Sequence, residues 1–351
     1  MRVQRVVVPL TQRVAWLVLD AAGRPVGPIH DFLHALDHLG RSPATLRAYA
    51  YHLSHFWEFV TLNQRDWRAL TLTDFTDFVG WLRRSINLSP SSINTTLSAV
   101  TSWYAFHAAL GTVSPLPPFQ QRQRGRRAYK GLLYHLTKRA PAIGRVLSVP
   151  APQPRPVVLT PAQVQQCLAA CRHLRDRFLI ALLYETGMRI GQALGLQHAD
   201  VHSWDNEILI TPRPDNRNGA RAKTYTPYVV HVSPALMQQY ATYLVDEFYP
   251  CDSPFVFINR WGGTINIPLA YSTVHAFFHA LSQQVGFHVH PHLFRHTHAT
   301  DLLRAGWDPA FIQRRLGHAS VQTTINTYVH ITDADLKRQY QHYCTRQEQP
   351  S

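Results

Sequence analysis

A basic, proline-rich stretch at positions 116–158 divides this chain of 351 residues into two parts. Pro115, Pro117 and Pro118 interrupt the helical pattern that precedes it, and five more prolines follow between positions 141 and 156. Proline fixes its backbone φ angle and has no backbone N–H, so such a stretch favours an extended connector. The chain is also long enough to bury two separate cores. We therefore predict two folded domains joined by this linker.

The first part, residues 34–115, has the apolar spacing of several short helices. Ser42 followed by Pro43 is typical of a helix start, and the pair Ser89–Pro90 repeats this signal. After the first start, apolar residues recur every three or four positions on one predicted helix face: Leu46, Tyr49, Leu53, Phe56 and Val60. Another helix is predicted to start near Thr73. The pattern predicts a compact helical domain.

The second part, residues 159–345, combines helices with a few strands. Thr160 and Pro161 predict a helix start, and Gly187 predicts a helix end. Runs rich in β-branched residues predict strands at 207–212 and 228–232, with a third candidate at 254–259. We interpret the polar segment between the first two strands as the tip of a long hairpin. Further helices are predicted near 272–285, 292–304, 308–316, 320–328 and 333–344.

The fold class that follows is mainly α with a small antiparallel β-sheet: an N-terminal helical domain plus a mixed α+β domain. Residues 1–33 form an extension ahead of the helical domain, and residues 346–351 form a tail. In the extension, short apolar runs favour a β-hairpin or an extended arm. Charges interrupt these runs, so no signal peptide is expected, and no stretch of about 18 apolar residues predicts a membrane span.

The cysteines favour a reducing compartment. Cys167, Cys171, Cys251 and Cys344 include no Cys-x-x-Cys pair. We interpret all four as reduced thiols, which predicts a cytoplasmic protein with no membrane partner.

The charge of the chain predicts a polyanionic partner. Its net charge is +14 and its isoelectric point is near 10.0, a balance typical of proteins that bind nucleic acid. Five basic residues cluster in the linker, and we predict that they lie along a DNA backbone: Arg122, Arg124, Arg126, Arg127 and Lys130. The alternative is a solvated basic face. Arg217 and Arg221, in the predicted hairpin tip, are further candidates for DNA contact.

The C-terminal region carries the chemistry. Residues 291–331 contain His292, Arg295, His318 and Tyr328 in the order His-x-x-Arg, Leu-Gly-His, Tyr, with Tyr328 33 residues after Arg295. A guanidinium matches the oxygens of a phosphodiester bidentately, and a phenol beside positive groups can lose its proton and attack. The pattern indicates a phosphate-binding cluster followed by a nucleophile.

With Arg189 in the segment YETGMRIGQALGL (184–196), this order of residues resembles the tyrosine site-specific recombinases, the phage integrase family. The resemblance is strong over residues 159–331 and consistent over residues 34–115. It implies a SAM-like core-binding domain, a linker and a catalytic domain that together clamp double-stranded DNA. It also implies a site-specific recombinase that cleaves and rejoins strands through a 3′-phosphotyrosine, in DNA integration or transposition, with no ATP, metal or other cofactor.

The resemblance assigns a role to each candidate catalytic residue. Arg189 and Arg295 would clamp the scissile phosphate, and Tyr328 would be the nucleophile. His292 would handle the proton of that tyrosine, because imidazole titrates near neutral pH. His318 would hydrogen-bond a phosphate oxygen. Lys223, on the predicted hairpin, would protonate the departing 5′ oxygen; its alternative role is a simple phosphate contact.

Two features depart from a plain match. The family places an acidic residue three positions after its first arginine, and this chain has Gln192 there, which can still hydrogen-bond to position the guanidinium. Five histidines also crowd residues 288–298, and His292 and His296 have the spacing of a metal-binding pair on a helix. No Asp, Glu or Cys lies within that cluster, so we predict no metal site.

Several assignments stay open from sequence. The family's usual assembly is a homo-tetramer on paired DNA sites, with accessory proteins possible and an association with the bacterial nucleoid. Leu336, Tyr340 and Tyr343 predict a tail helix that docks on a neighbouring subunit or packs on its own domain. Alternative functions are a type IB topoisomerase or hairpin-forming resolvase, which share the chemistry, and a DNA-binding protein without catalysis.

Overall fold

The computed structural model describes residues 1–9, 14–114, 147–152, 157–213, 216–222 and 226–317, together with the backbone of 120–122 and 143–145. The chain separates into two compact units, Met1–Gln153 and Pro154–Ser351. The described elements are mainly helices with short antiparallel strands, which confirms the predicted fold class. Among the described residues, no helix is both long and apolar enough to cross a membrane.

The first unit begins with a hairpin and continues as four helices. Strands β1 (Arg2–Val7) and β2 (Val14–Leu19) pair antiparallel. Of the two alternatives predicted for the extension, a β-hairpin and an extended arm, the structure therefore shows the hairpin. The helices are α1 (Gly27–His38), α2 (Pro43–Leu62), α3 (Leu72–Arg84) and α4 (Pro90–Ala109). Helix α1 was not predicted, and it crosses the boundary placed at residue 33. The two short strands β3 (Gln120–Arg122) and β4 (Ile143–Arg145) pair antiparallel within the predicted linker.

Local capping signals start the helices of this unit. The Ser42 and Ser89 hydroxyls accept backbone N–H bonds at the starts of α2 and α4, as their Ser-Pro pairs predict. Thr71 and Asp74 form a capping box at the start of α3. The helix begins at Leu72, next to Thr73, near which its start was predicted. Aromatic side chains fill the core, and Trp103 of α4 is fully buried there. Its indole donates to the Pro28 carbonyl at 3.0 Å and so joins α4 to the start of α1.

The second unit surrounds one buried helix with a sheet and further helices. Helices α5 (Pro161–Ala170), α6 (Leu174–Thr186) and α7 (Ile190–Leu194) lead to strands β5 (Val201–His202), β6 (Glu207–Ile210) and β7 (Tyr228–His231). Helices α8 (Pro234–Tyr243), α9 (Tyr271–Val285), α10 (Pro291–Arg304) and α11 (Pro309–Leu316) complete the described part. The apolar residues of α6 are nearly all buried, because the helix packs against both α8 and α10.

The sheet confirms two predicted strands and corrects the third. Strands β6 and β7 pair antiparallel from Glu207↔His231 to Ile210↔Tyr228. The third strand is β5, and the prediction of a strand at 254–259 is wrong: this run makes only isolated bridges at Phe255 and Ile258. Its successive residues 256–258 are all fully buried. Such a run lacks the alternation of a half-buried strand, so apolar content alone misled the prediction.

The connection between β6 and β7 is held against the core of the unit, at least in its described residues 211–213 and 216–222. The Asn218 amide donates to the carbonyls of Leu194 and Leu269, at 3.0 and 2.9 Å. Ala220 is fully buried. Arg213 forms a bidentate pair with the buried Asp200 at 2.7 Å. The segment does connect two antiparallel strands, as predicted, and its described residues also pack against the rest of the unit.

Candidate active site

Arg189 and Arg295 come from different elements and are anchored to the same turn. The Arg189 side chain donates to the carbonyl oxygen of Gly317 at 3.4 Å. The Arg295 side chain donates to the carbonyl oxygen of Leu316 at 3.0 Å. Leu316 ends α11 and Gly317 caps it in the left-handed conformation. His318 follows directly in the sequence, so both arginines are anchored to the turn that leads to it.

Arg295 is held from two sides and is almost fully buried, at 1 % exposure. Besides Leu316, its guanidinium donates to the carbonyl oxygen of Gly187 at 2.8 Å. Gly187 ends α6 with a φ of 63°, a conformation that orients its carbonyl and favours glycine. Carbonyls on two sides hold the plane of the buried guanidinium in a set orientation, which suits it to hydrogen-bond the oxygens of a phosphate.

Arg189 begins α7, as predicted, and Gln192 supports it through the backbone. The Gln192 side-chain oxygen accepts the backbone N–H of Arg189 at 2.8 Å. Its amide nitrogen donates to the Tyr228 hydroxyl at 2.9 Å. Gln192 thus hydrogen-bonds to the backbone of Arg189 and not to its guanidinium, and its other end is used by Tyr228. Gln192 sets the first turn of α7 and, through it, the position of Arg189.

His292 lies one helical turn before Arg295 on α10, so both face the same side of the helix. Partial burial lowers the pKa of His292 to about 4, with the neighbouring His296, Arg295, His290 and Arg189 adding to the effect. His292 is nevertheless an exposed residue at the surface. With its pKa lowered, it is neutral at pH 7, which leaves it able to accept a proton.

His292 and His296 do share a face, with ring centroids 4.5 Å apart in a T-shaped contact. Over the residues that the structure describes, no group of three or more His, Cys, Asp or Glu side chains is arranged to hold a metal ion.

A supporting pair behind the arginines was not predicted from the sequence. His298 is 9 % exposed, and its ring accepts from the Arg315 side chain at 3.0 Å. Arg315 also donates to the Glu185 carbonyl at 3.0 Å. Burial lowers the pKa of His298 to about 3, with Arg315 and Arg295 contributing. His298 thus stays neutral, and Arg315 of α11 hydrogen-bonds both to His298 of α10 and to the end of α6. The i, i+3 spacing of His298 from Arg295 was the available signal.

The segment before Lys223 is held close to Arg189. The Tyr271 hydroxyl hydrogen-bonds to the backbone of Arg221. Gly191 of α7 lies so close that an added Cβ would be 2.4 Å from both the Arg221 carbonyl oxygen and the Tyr271 hydroxyl. Because position 191 is glycine, the connection between β6 and β7 can lie against the first turn of α7, next to Arg189.

The remaining predicted site residues are only partly described. The side chain of Arg217 is exposed and that of Arg221 is half-buried. Arg122 lies in β3, of which the backbone is described. The others lie outside the described residues: Lys223, His318, Tyr328, Arg124, Arg126, Arg127 and Lys130. The predicted tail helix with Leu336, Tyr340 and Tyr343 lies outside them too. The three cysteines that the structure describes, Cys167, Cys171 and Cys251, are free.

The order of elements and residues matches a known family along most of the chain. Residues 157–335 match the phage integrase family, and residues 29–111 match the phage integrase N-terminal SAM-like domain. The chain belongs to the phage integrase family. This confirms the resemblance that the motifs of the sequence carried.

Two relatives resemble this chain over most of its length. Transposase A from transposon Tn554 of Staphylococcus aureus is 37 % identical over 370 residues, and the match covers 99 % of each chain. Tyrosine recombinase XerA of Pyrococcus horikoshii is 26 % identical over 309 residues, covering 88 % of this chain and 90 % of that one.

Solved structures of the family share the fold. The Tn1549 transposon integrase in complex with a circular intermediate DNA matches with a TM-score of 0.67 and 17 % identity, covering 90 % of this chain and 99 % of that one. The XerH site-specific recombinase bound to palindromic difH substrate matches with a TM-score of 0.59 and 17 % identity, covering 85 % and 79 %.

Proposed function

We propose that this chain is a site-specific DNA recombinase that cleaves and rejoins DNA strands through a 3′-phosphotyrosine, with Tyr328 as the nucleophile. The observation that carries the proposal is the anchoring of Arg189 and Arg295 to consecutive carbonyls, those of Gly317 and Leu316. Two guanidiniums held beside one turn form a preorganised site for a phosphate that gains charge in its transition state. His318 follows that turn directly and would hydrogen-bond a phosphate oxygen.

His292 and Lys223 would move the protons of this reaction. A phenol has an ordinary pKa near 10, so Tyr328 needs a proton acceptor. His292 is neutral at pH 7 because its pKa is lowered, so its imidazole can take that proton, and the same lowering makes it a weaker base than a free imidazole. Lys223 would donate a proton to the 5′ oxygen as it leaves. In the rejoining step each proton returns by the same route.

The reaction would need neither ATP nor a metal. Attack by the Tyr328 oxygen breaks one phosphodiester bond and forms a phosphotyrosine ester, so the bond energy stays available for rejoining. The guanidiniums supply the positive charge that a metal ion supplies in other phosphoryl-transfer sites.

The partner would be double-stranded DNA, contacted by residues 34–115 and by residues 159–345, with the basic linker 116–158 along the backbone. The basic residues proposed to contact phosphates are Arg122, Arg124, Arg126, Arg127, Lys130, Arg217 and Arg221. Strand exchange between two sites would require a homo-tetramer, with accessory proteins where the element needs them and a location at the bacterial nucleoid. The similarity to transposase A from Tn554 favours a role in moving a mobile element.

A suicide-substrate experiment tests the proposal. The purified chain is mixed, in EDTA and without ATP, with a nicked, end-labelled duplex from the flanks of its own gene, and products are separated on a denaturing gel. We expect a covalent protein–DNA adduct that Tyr328→Phe abolishes while DNA binding is kept. DNA shifted in a native gel without any adduct, on sites chosen by randomised selection, would instead show a binding protein. Relaxation of supercoiled DNA without sequence preference would indicate a topoisomerase.

A further inference from the structure

A second tyrosine stands beside the arginine pair. Tyr228, at the start of β7, accepts a hydrogen bond from the Gln192 amide at 2.9 Å. Burial raises the pKa of its phenol, which the Gln192 bond and the charges of Arg295 and Arg189 oppose. The hydroxyl is therefore a neutral group close to both guanidiniums.

The ring of Tyr228 supports the turn that anchors the arginines. A Cβ added to Gly317 would lie 2.8 Å from the Tyr228 hydroxyl and 2.8 Å from its Cζ, so the glycine backbone rests directly on the ring. The carbonyl of this same Gly317 accepts from Arg189. The Tyr228 ring thus packs against Gly317, the residue that precedes His318.

These contacts close a ring around Arg189. Its backbone N–H binds Gln192, Gln192 binds Tyr228, Tyr228 packs on Gly317, and Gly317 accepts from the Arg189 side chain. Gln192 is 3 % exposed, so its amide needs a protein acceptor, and Tyr228 supplies it. A carboxylate at this position would have no N–H to donate. The glutamine and the tyrosine are therefore chemically matched to each other.

We propose that Tyr228 is a positioning residue for DNA cleavage, which acts through Gln192 and Gly317 to hold Arg189 in the geometry that binds the scissile phosphate. The inference rests on the proposed function, since it assigns no chemistry of its own to the phenol.

The test compares Tyr228→Phe with the native chain in single-turnover cleavage of the suicide substrate at saturating protein. Phenylalanine keeps the ring under Gly317 and removes only the acceptor of the Gln192 amide. We expect cleavage about tenfold slower, the rate equivalent of one lost buried hydrogen bond, with unchanged DNA affinity. Tyr240→Phe is the matched control, because Tyr240 hydrogen-bonds to His198 in the same unit at 2.6 Å. Tyr240→Phe should have a lower melting temperature and an unchanged cleavage rate.

A second substrate separates positioning from a general loss of structure. In it, a neutral methylphosphonate replaces the scissile phosphate, so charge neutralisation by Arg189 matters less. The defect of Tyr228→Phe should shrink on this substrate, as should that of Arg189→Ala. An equal defect on both substrates would show a purely structural role and overturn the inference, as would an unchanged rate on the phosphate.

A double-mutant cycle keeps the inference testable if Tyr228→Phe is unstable. Gln192→Met removes the amide and keeps the length of the side chain. If Tyr228 acts through Gln192, adding Tyr228→Phe to Gln192→Met should slow cleavage no further. Additive defects would overturn the inference alone. Absence of any adduct with the native chain would overturn the proposed function, and the inference with it.

Discussion

Arg295 donates to the carbonyl oxygen of Gly187 across 2.8 Å, although 108 residues separate them in the chain. Gly187 is also closely packed on its other side: an added Cβ would lie 2.6 Å from Leu316 Cδ2 and 2.7 Å from His298 Cδ2. One glycine thus orients a buried guanidinium and lets α10 and α11 approach the end of α6.

Gly187→Ala should damage both stability and cleavage. The left-handed φ of 63° costs alanine about 1 kcal/mol, and overpacking against Leu316 and His298 adds about 1–3 kcal/mol. Gly286→Ala is the matched control, because its φ is 79° but nothing lies within 4 Å of its added Cβ. Urea unfolding of both variants, with the suicide-substrate assay, measures the difference. Equal losses would show that backbone strain alone matters at Gly187.

Arg295→Lys should abolish most cleavage while keeping the positive charge. An ammonium cannot reach Gly187 and Leu316 with the planar geometry of a guanidinium, so a carbonyl loses its donor and the phosphate loses its bidentate partner. We expect a loss of about 10²–10³ in the single-turnover cleavage rate. Arg304→Lys, at the end of the same helix and half exposed on its side chain, is the control. A cleavage rate close to native would remove Arg295 from the phosphate clamp.

His298→Gln should flatten the dependence of stability on pH. The pKa of His298 is about 3 in the folded chain and 6.5 in the unfolded chain. Between these two pH values the unfolded chain binds a proton at this residue and the folded chain does not. Stability therefore falls as pH drops below 6.5 and stops falling near the folded pKa. Between pH 7 and pH 5 this residue should account for about 2 kcal/mol. Urea unfolding at both pH values measures it, with the exposed His279→Gln as control. An unchanged pH dependence in His298→Gln would contradict the assignment.

Lys223→Ala should slow cleavage of an ordinary substrate far more than cleavage of one with a 5′-phosphorothiolate leaving group. Sulfur leaves without a proton, so a general acid is dispensable there. Arg217→Ala, an exposed cation of the same connection, should weaken DNA binding equally for both substrates because a phosphate contact does not distinguish them. Rates of adduct formation on the two substrates give the comparison. The same loss on both for Lys223→Ala would leave it only a phosphate contact.

Local signals explain which parts of the fold were predictable. Helix starts at Ser42, Ser89 and Thr160 depend on a side chain that caps a backbone N–H three residues later, so a few residues of sequence suffice. The same signal stands at Ser233–Pro234, yet α8 was missed. The strand predicted at 254–259 was wrong because this run is buried on all sides. Such a run has no periodicity, so its apolar pattern does not distinguish a buried strand from another buried segment.

The sequence by itself determined the family and the order of its two matched domains, and it predicted candidate phosphate-binding residues, because residue types at given spacings carry this information. Only the tertiary structure decided how the arginines are held. Their acceptors are backbone carbonyls of Gly187, Leu316 and Gly317, and every residue type has such a carbonyl. Only folding brings the Gly187 carbonyl to Arg295 and the Gly317 carbonyl to Arg189, each more than a hundred positions away in the chain. The partner of Gln192 was hidden for the same reason, since Tyr228 reaches it only when β7 lies beside α7.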